Sequence, residues 1–161
     1  MATDARIFVG TTDFAAELAP LMREADAAEV KASGGYEPLE ALENALDFSS
    51  PNCWGVTFNG EPAAMFGVGD ADGHPPKTVG IPWLLTGAAV ERHPKTFYAT
   101  CREQLQFLVS LYPMLKQYID ARHERALRWI GRLGFQVFPP IPFGKDGLPF
   151  HPVVLWRDGH V

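Results

Sequence analysis

Few side chains in this sequence stand at the spacings that metal binding or nucleophilic catalysis requires. A Gly-x-Ser-x-Gly elbow, a Walker loop and a dinucleotide-binding fingerprint are all absent. Cys53 and Cys101 lie far apart and outside any Cys-x-x-Cys motif, which disfavours a disulfide framework and fits reduced thiols in the cytoplasm. No His-x-His or His-x₃-His pair occurs among the histidines, so we predict no metal site. The five histidines are His74, His93, His123, His151 and His160.

Basic residues cluster in one segment of an otherwise acidic chain. The formal net charge is −5, which argues against general nucleic-acid or membrane-surface binding, since both need a basic face. No apolar stretch approaches the roughly 20 residues that span a bilayer. Four arginines nevertheless recur at helical spacing, and they form either a functional patch or a solvated helix face that balances nearby acids. They are Arg122, Arg125, Arg128 and Arg132.

Apolar periodicity predicts four helices that carry or position these residues. The first begins at Thr12 and Asp13 and ends at Gly34-Gly35. Its predicted inner face comprises Phe14, Leu18, Leu21, Ala25 and Ala28. The other three helices are predicted to span residues 38–46, 96–112 and 124–133, the last closed by Gly134.

Seven β-rich runs alternate with these helices. The strongest signal is a hairpin at Asn59-Gly60, and a later run that contains Pro82 and Gly87 predicts a bent or bulged strand. The predicted strands span residues 6–9, 54–58, 62–68, 78–90, 115–121, 136–138 and 153–156. This order predicts a single α/β domain over residues 1–161, with a mixed, mostly antiparallel sheet and helices on both faces.

A loop with an unusual composition is predicted at 139–152, where five prolines and two glycines occur. Loops of this length are commonly functional or disordered, and prolines favour an ordered segment. We expect Phe143 and Phe150 to be exposed on it as anchors for a protein partner, because aromatic side chains dominate interfaces. The alternative is that the loop packs across its own domain.

The element order, together with the segment Tyr118–Phe135, resembles the GNAT family of N-acetyltransferases. An Ala-Leu pair and the closing Leu-Gly-Phe stand at the family's spacing. A narrower resemblance, over about residues 54–157, is to phage and prophage GNAT-like proteins, a group that includes an internal virion and assembly protein of T7-like podophages. It rests on Ile81–Gly87, Glu91–Pro94, the arginine-rich helix, Pro139-Pro140 and Phe143–His151.

The sequence departs from the family where coenzyme A should bind. The resemblance implies a glycine-rich loop whose backbone N–H groups hold the pyrophosphate at a helix N-terminus. The corresponding stretch, Val90–Phe97, has no glycine, and Pro94 removes a donor. Arg92 and Lys95 can bind phosphate there by charge. The family's asparagine, which contacts the pantetheine arm, corresponds to His123. The family's tyrosine, which acts as general acid, falls near Ile130, which cannot donate a proton.

Two interpretations of function follow. The first is a virion or virion-assembly component, in the particle or the host cytoplasm, that binds other virion proteins and needs no cofactor. The second is an acetyl-CoA-dependent N-acetyltransferase acting on a small-molecule or protein amine. Under the second interpretation, the resemblance implies Glu91 as general base and a cofactor-binding set of Val90, Arg92, Lys95 and His123. Neither interpretation predicts an oligomeric state.

Overall fold

The computed structural model describes residues 2–71 and 77–159 of the chain. Its strands form one eight-stranded sheet in the order β1-β2-β3-β4-β5-β8-β6, with β7 paired to β8. The strands are β1 Ala5–Val9, β2 Cys53–Phe58, β3 Glu61–Asp70, β4 Val79–Thr86, β5 Met114–Asp120, β6 Gln136–Val137, β7 Ile141–Phe143 and β8 Leu148–Trp156. All pairs are antiparallel except β4 with β5. The predicted mixed, mostly antiparallel sheet is confirmed.

Helices cover both faces of this sheet, also as predicted. They are α1 Thr12–Leu18, α2 Glu24–Gly34, α3 Pro38–Ser49, α4 Ala89–Arg92, α5 Pro94–Leu111 and α6 Glu124–Arg132. On one face, α1 and α3 pack against Trp83 and Leu85. Leu84 faces the other side, where α5 and α6 complete the core. Successive β4 side chains therefore serve opposite layers, as strand geometry requires.

The hairpin predicted at Asn59-Gly60 joins β2 to β3. Asn59 has φ 51° and Gly60 has φ 82°, the positive values that a two-residue I′ turn needs. The backbone N–H of Asp4 donates to Asn59 Oδ1 at 2.8 Å, so the turn also holds the chain that enters β1. The ladder register shifts once, between Val56 and Thr57 of β2.

The single helix predicted from Thr12 to Gly34 is wrong, because the chain forms α1, a short 3₁₀ turn at Ala19–Leu21, and then α2. Pro20 lies in the 3₁₀ turn, and a proline cannot supply the N–H that a continuous α-helix needs. The next residues bond to the sheet instead, since Arg23 N–H donates to Thr86 O at 2.9 Å. This break rotates α2, so that Asp26 and Ala32 are buried, whereas the predicted inner residues Ala25 and Ala28 are exposed.

The strand predicted over 78–90 is shorter than expected, since β4 ends at Thr86 and α4 follows. The predicted bend lies at the end of the strand, where Gly87 forms an isolated antiparallel bridge to Met22. A side chain at Gly87 would lie 3.2 Å from the backbone oxygen of Leu21. A small residue therefore lets the α1–α2 connection approach β4.

The prediction of an irregular loop over residues 139–152 is also wrong. The segment forms β7, a turn, and the first half of β8, which continues to Trp156. Gly144 and Gly147 in the turn have φ 79° and 64°, and Lys145 N–H donates to Ser33 O at 3.1 Å. Pro142 is tolerated because Ile141–Phe143 pairs with β8 alone and leaves its other edge free of ladder bonds.

Candidate active site

The site begins where the two parallel strands separate. β4 and β5 pair only through Val79 with Met114 and Gly80 with Leu115, although both strands continue for several residues. The side-chain amide of Gln117 spans the start of the gap. Its Nε2 donates to Pro82 O at 2.6 Å, and its Oε1 accepts from Tyr118 N–H at 2.9 Å. Gln117 thus replaces ladder bonds that the diverging strands cannot make.

Two carboxylates of α2 occupy the open end of the gap. Asp26 Oδ2 accepts from the backbone N–H of Thr86 on β4 at 2.8 Å. Glu29 Oε1 lies 3.4 Å from the backbone nitrogen of Asp120 on β5. Leu84 stands between Pro82 and Thr86 on the same strand edge, so its backbone N–H and C=O also face the gap.

Arg23 ties this acidic end to α4. Its Nε donates to Thr86 Oγ1 at 2.6 Å, and its terminal nitrogens lie 3.8 Å from Asp26 Oδ1 and 3.7 Å from Glu91 Oε1. Arg23 is largely buried, whereas the Glu91 side chain is 49% exposed. Glu91 therefore reaches solvent from the rim of the site.

His123 joins both carboxylates of α2. Its Nδ1 lies 2.9 Å from Glu29 Oε2, and its Nε2 lies 4.0 Å from Asp26 Oδ1. The hydrogen bond to Glu29 raises the pKa of His123, with the charges of Glu29 and Asp26 adding to it, while burial and Arg23 oppose it. Burial raises the pKa of Glu29, against the lowering influence of His123. His123 and Glu29 therefore influence each other's ionisation through one direct contact.

A tight turn fixes the position of His123 at the start of α6. Asp120 Oδ1 accepts from Arg122 N–H at 2.9 Å, and the Arg122 guanidinium lies against the same carboxylate. Burial opposes ionisation, but the Arg122 hydrogen bonds hold the pKa of Asp120 below its usual range. His123 N–H donates to Asp120 O at 2.9 Å. The imidazole is consequently placed by backbone geometry as well as by Glu29.

The separated strands open into a cleft of about 1800 Å³ that runs from α2 to the space between α5 and α6. Four basic side chains line the α5–α6 end, and all are exposed: Lys95, Arg125, Arg128 and Arg132. None of the four forms an ion pair within residues 2–71 and 77–159. The cleft thus has an acidic end with an imidazole and a basic end with uncompensated charge.

The N-terminus of α5 lies at this basic end. Pro94 is the first helical residue, two positions earlier than predicted, and Phe97 N–H donates to His93 O at 2.9 Å. The amides of Lys95 and Thr96 therefore have no intrahelical acceptor. Phe97 stacks on Trp129 of α6 with ring centroids 5.4 Å apart, and the Trp129 Nε1 donor is buried without a partner among the described residues.

Four residues of the predicted site line the cleft, namely Val90, Glu91, Lys95 and His123. Val90 is buried, so it offers little surface to a ligand. Arg92 does not line the cleft, because its guanidinium pairs with Glu61 at the start of β3. Arg125, Arg128 and Arg132 do line it, whereas Arg122, which also lines it, pairs with Asp120.

The predicted exposure is wrong for Phe150, which is buried, while Phe143 is half-buried. Phe150 has no exposed surface, and Phe143 stacks on Tyr118 with ring centroids 4.1 Å apart. The two phenylalanine rings also contact each other at 5.2 Å. The aromatic segment packs across its own sheet, as the alternative expected, and the binding of a protein partner stays a prediction.

Sequence reasoning missed the residues contributed by α2. Asp26 and Glu29 are spaced three apart on an alanine-rich helix, so they share one face. An acidic pair on a face otherwise built from alanines was the available signal. It was obscured because one continuous helix placed Ala25 and Ala28 inside.

Among the described residues, no group of three or more His, Cys, Asp or Glu side chains is arranged to hold a metal ion. His74 and His160 lie outside the described residues. In the part of the chain that the structure covers, no helix combines the length and apolarity that crossing a membrane requires.

Comparison with solved structures identifies the fold. The aminoglycoside acetyltransferase AAC(6')-Ib, solved with ribostamycin and coenzyme A, matches with a TM-score of 0.72 at 17% identity over 96% of this chain and 94% of that one. A GNAT-family acetyltransferase from Streptococcus pneumoniae matches with a TM-score of 0.61 at 14% identity over 95% and 99%. The protein yncA from Salmonella typhimurium, solved with its cofactor acetyl-CoA, matches with a TM-score of 0.64 at 16% identity over 98% and 96%.

These likenesses show the fold alone, since every identity is below a fifth. No family model matches the chain, and no curated protein matches its sequence. The chain therefore has the GNAT fold. The narrower relationship to phage virion proteins finds no support in these comparisons and stays a prediction.

Proposed function

We propose that this chain is an acetyl-CoA-dependent N-acetyltransferase that acts on an amine. The observation that carries the proposal is the polarity of the cleft between β4 and β5, which is basic at one end and carboxylate-rich with an imidazole at the other. An acyl donor with phosphate groups needs a basic end, and an acceptor with a cationic amine needs an acidic end. This cleft has both. The likeness to acetyltransferases that bind coenzyme A supports the same assignment.

The residues at the basic end suit the phosphates of the donor. Lys95, Arg125 and Arg128 supply uncompensated charge, and the amides of Lys95 and Thr96 supply two donors at a helix N-terminus. Pro94 removes a third donor, so the phosphates are held more by side-chain charge than by a backbone cradle. The backbone of Leu84 offers one donor and one acceptor for the amides of an extended arm. When bound, acetyl-CoA supplies an acyl group activated as a thioester.

The residues at the other end suit an amine. Glu29, Asp26 and Glu91 face the cleft, and the first two are largely buried, where a cation is attracted more strongly than in water. Ribostamycin, the ligand of one structural neighbour, is a cationic amine compound. The acidic end thus favours a small polycationic acceptor or an exposed lysine.

Calorimetric titration with acetyl-CoA, followed by a thiol-release assay over a panel of polyamines, aminoglycosides and lysine peptides, tests the proposal. We expect a dissociation constant of about 1–100 μM, which is roughly −8 to −5.5 kcal/mol, and amine-dependent release of thiol. Substituting both Arg125 and Arg128 with Gln should weaken binding about tenfold, with Arg6→Gln on exposed β1 as the matched control. A dissociation constant above about 1 mM, or no amide with any amine, contradicts the proposal.

A further inference from the structure

The environment of His123 resembles that of a histidine poised to accept a proton. A carboxylate in contact with Nδ1 holds the proton on that nitrogen, because an ionised carboxylate only accepts hydrogen bonds. Glu29 Oε2 fills this role at 2.9 Å. The opposite nitrogen, Nε2, is 4.0 Å from the nearest Asp26 oxygen, which is too long for a hydrogen bond. Nε2 is therefore the nitrogen left for a ligand.

The other contacts of Glu29 and Asp26 determine which of these two carboxylates bonds to the His123 ring. Asp26 Oδ2 is already bonded to Thr86, on β4, and Arg23 lies beside its other oxygen. Glu29 Oε1 is close to Asp120 N, which leaves Oε2 for the imidazole. Each carboxylate is thus committed to a different strand, and only Glu29 touches the ring. The His123 side chain keeps 12% of its surface exposed, and that surface faces the cleft.

We propose that Glu29 and His123 form a proton-accepting dyad for the acceptor amine, with His123 Nε2 as the base and Glu29 as the positioning residue. This inference rests on the proposed function. The acceptor nitrogen, in its neutral amine form, uses its lone pair to form a bond to the thioester carbonyl carbon. The carbon–sulfur bond breaks and its electron pair remains on sulfur. The amine proton passes to Nε2, and the thiolate is released to take a proton from solvent.

Glu91, which the resemblance implied as the base, is less well placed than His123. Its carboxylate is half-exposed and lies 3.7 Å from the Arg23 guanidinium. A base shielded from water and oriented by a second group transfers a proton in one fixed direction. His123 has both properties, whereas Glu91 is not shielded from water.

The charged groups around His123 set the pH dependence of the dyad. Glu29 and Asp26 face the ring from α2, Arg23 precedes α2, and Asp120 with Arg122 adjoins it from the β5–α6 turn. The acids outweigh Arg23 and burial, so the pKa of His123 lies above its ordinary value of about 6.5. Since the base must be neutral, activity should rise with pH through this elevated pKa.

The test is the pH profile of kcat/KM for the wild type, His123→Gln and Glu29→Gln. We expect the wild-type ascending limb above about pH 6.5, and a shift of that limb to lower pH in Glu29→Gln. His123→Gln should lower kcat about 100-fold or more and leave acetyl-CoA affinity within about twofold. His151→Gln is the matched control, because His151 bonds to Phe138 O and does not line the cleft.

Nitrogen-15 NMR of the His123 ring supplies a readout independent of activity. It should show the proton on Nδ1 when the ring is neutral, and a pKa that falls in Glu29→Gln. The dyad is overturned if the neutral ring carries its proton on Nε2. It is also overturned if His123→Gln keeps the wild-type kcat and the ascending limb of the pH profile, or if Glu91→Gln removes that limb instead. Wild-type protein that acetylates no amine overturns the proposed function itself, whereas an active wild type with an unaffected His123→Gln overturns the dyad alone.

Discussion

At the scale of single residues, the site is held by polar groups that replace the ladder bonds lost between β4 and β5. Gln117 bridges the start of the gap, and Asp26 and Glu29 bond to the strand edges at its open end. Buried backbone N–H groups without partners cost about 1–3 kcal/mol each. These side chains therefore stabilise an opening that a regular sheet would close.

Asp26→Ala should lower the free energy of unfolding by about 2–4 kcal/mol, because it leaves the buried Thr86 amide and hydroxyl without their charged acceptor. Urea denaturation measures the change. Glu43→Ala is the control, since Glu43 is exposed on α3 and should change stability by less than about 0.5 kcal/mol. Equal effects of the two substitutions would show that Asp26 does not support the strand edge.

At the scale of elements, the β7–β8 hairpin contributes to the core that underlies the site. Phe143 stacks on Tyr118 of β5, and the buried Phe150 ring contacts Phe143. Tyr118 lines the cleft, so the hairpin supports one wall of it. The proline-rich segment is thus a structural part of the site wall.

Phe150→Ala should destabilise the protein by about 3–5 kcal/mol, as truncation of a fully buried phenylalanine does. Ile141→Ala on the exposed edge of the same hairpin is the control and should cost less than about 1 kcal/mol. Thermal and chemical denaturation measure both. Unchanged stability of Phe150→Ala would restore the hypothesis that this segment binds a partner.

At the scale of the whole molecule, the distribution of charge determines which ligands the cleft attracts more than the net charge does. The chain is acidic overall, yet α6 and the start of α5 present four uncompensated cations to one end of the cleft. Such a local field attracts a polyanion despite the opposite net charge. Because these side chains are exposed, salt screens them readily.

Raising ionic strength from about 0.01 to 0.15 M shortens the Debye length from about 30 to 8 Å. The affinity for coenzyme A should accordingly fall with salt, by about tenfold, while that for pantetheine, which has no phosphate, should change by less than twofold. Calorimetric titration of both ligands measures the difference. The Arg125→Gln, Arg128→Gln double variant should lose most of the salt dependence, and a salt-independent coenzyme A affinity would contradict a role for these arginines.

Local patterns in the sequence were enough to predict the sheet type, the two helical layers and the Asn59-Gly60 hairpin. Each of these depends on residues close together in the chain: alternation in β2 and β3, the period of α5, and the glycine after α6. Lys95 and His123 were also identified from sequence, through a resemblance to a known family, and both line the cleft.

Only the tertiary structure decided which residues meet in the site. Glu29 and His123 are 94 positions apart, and their contact depends on the break at Pro20 that rotates α2 toward β5. Arg92 was assigned to phosphate from its position in the chain, but an ion pair with distant Glu61 directs it elsewhere. Phe150 looked exposed because a proline-rich run predicts a loop, whereas pairing with β5 buries it. Long-range pairing determines these outcomes, and short-range periodicity carries no information about it.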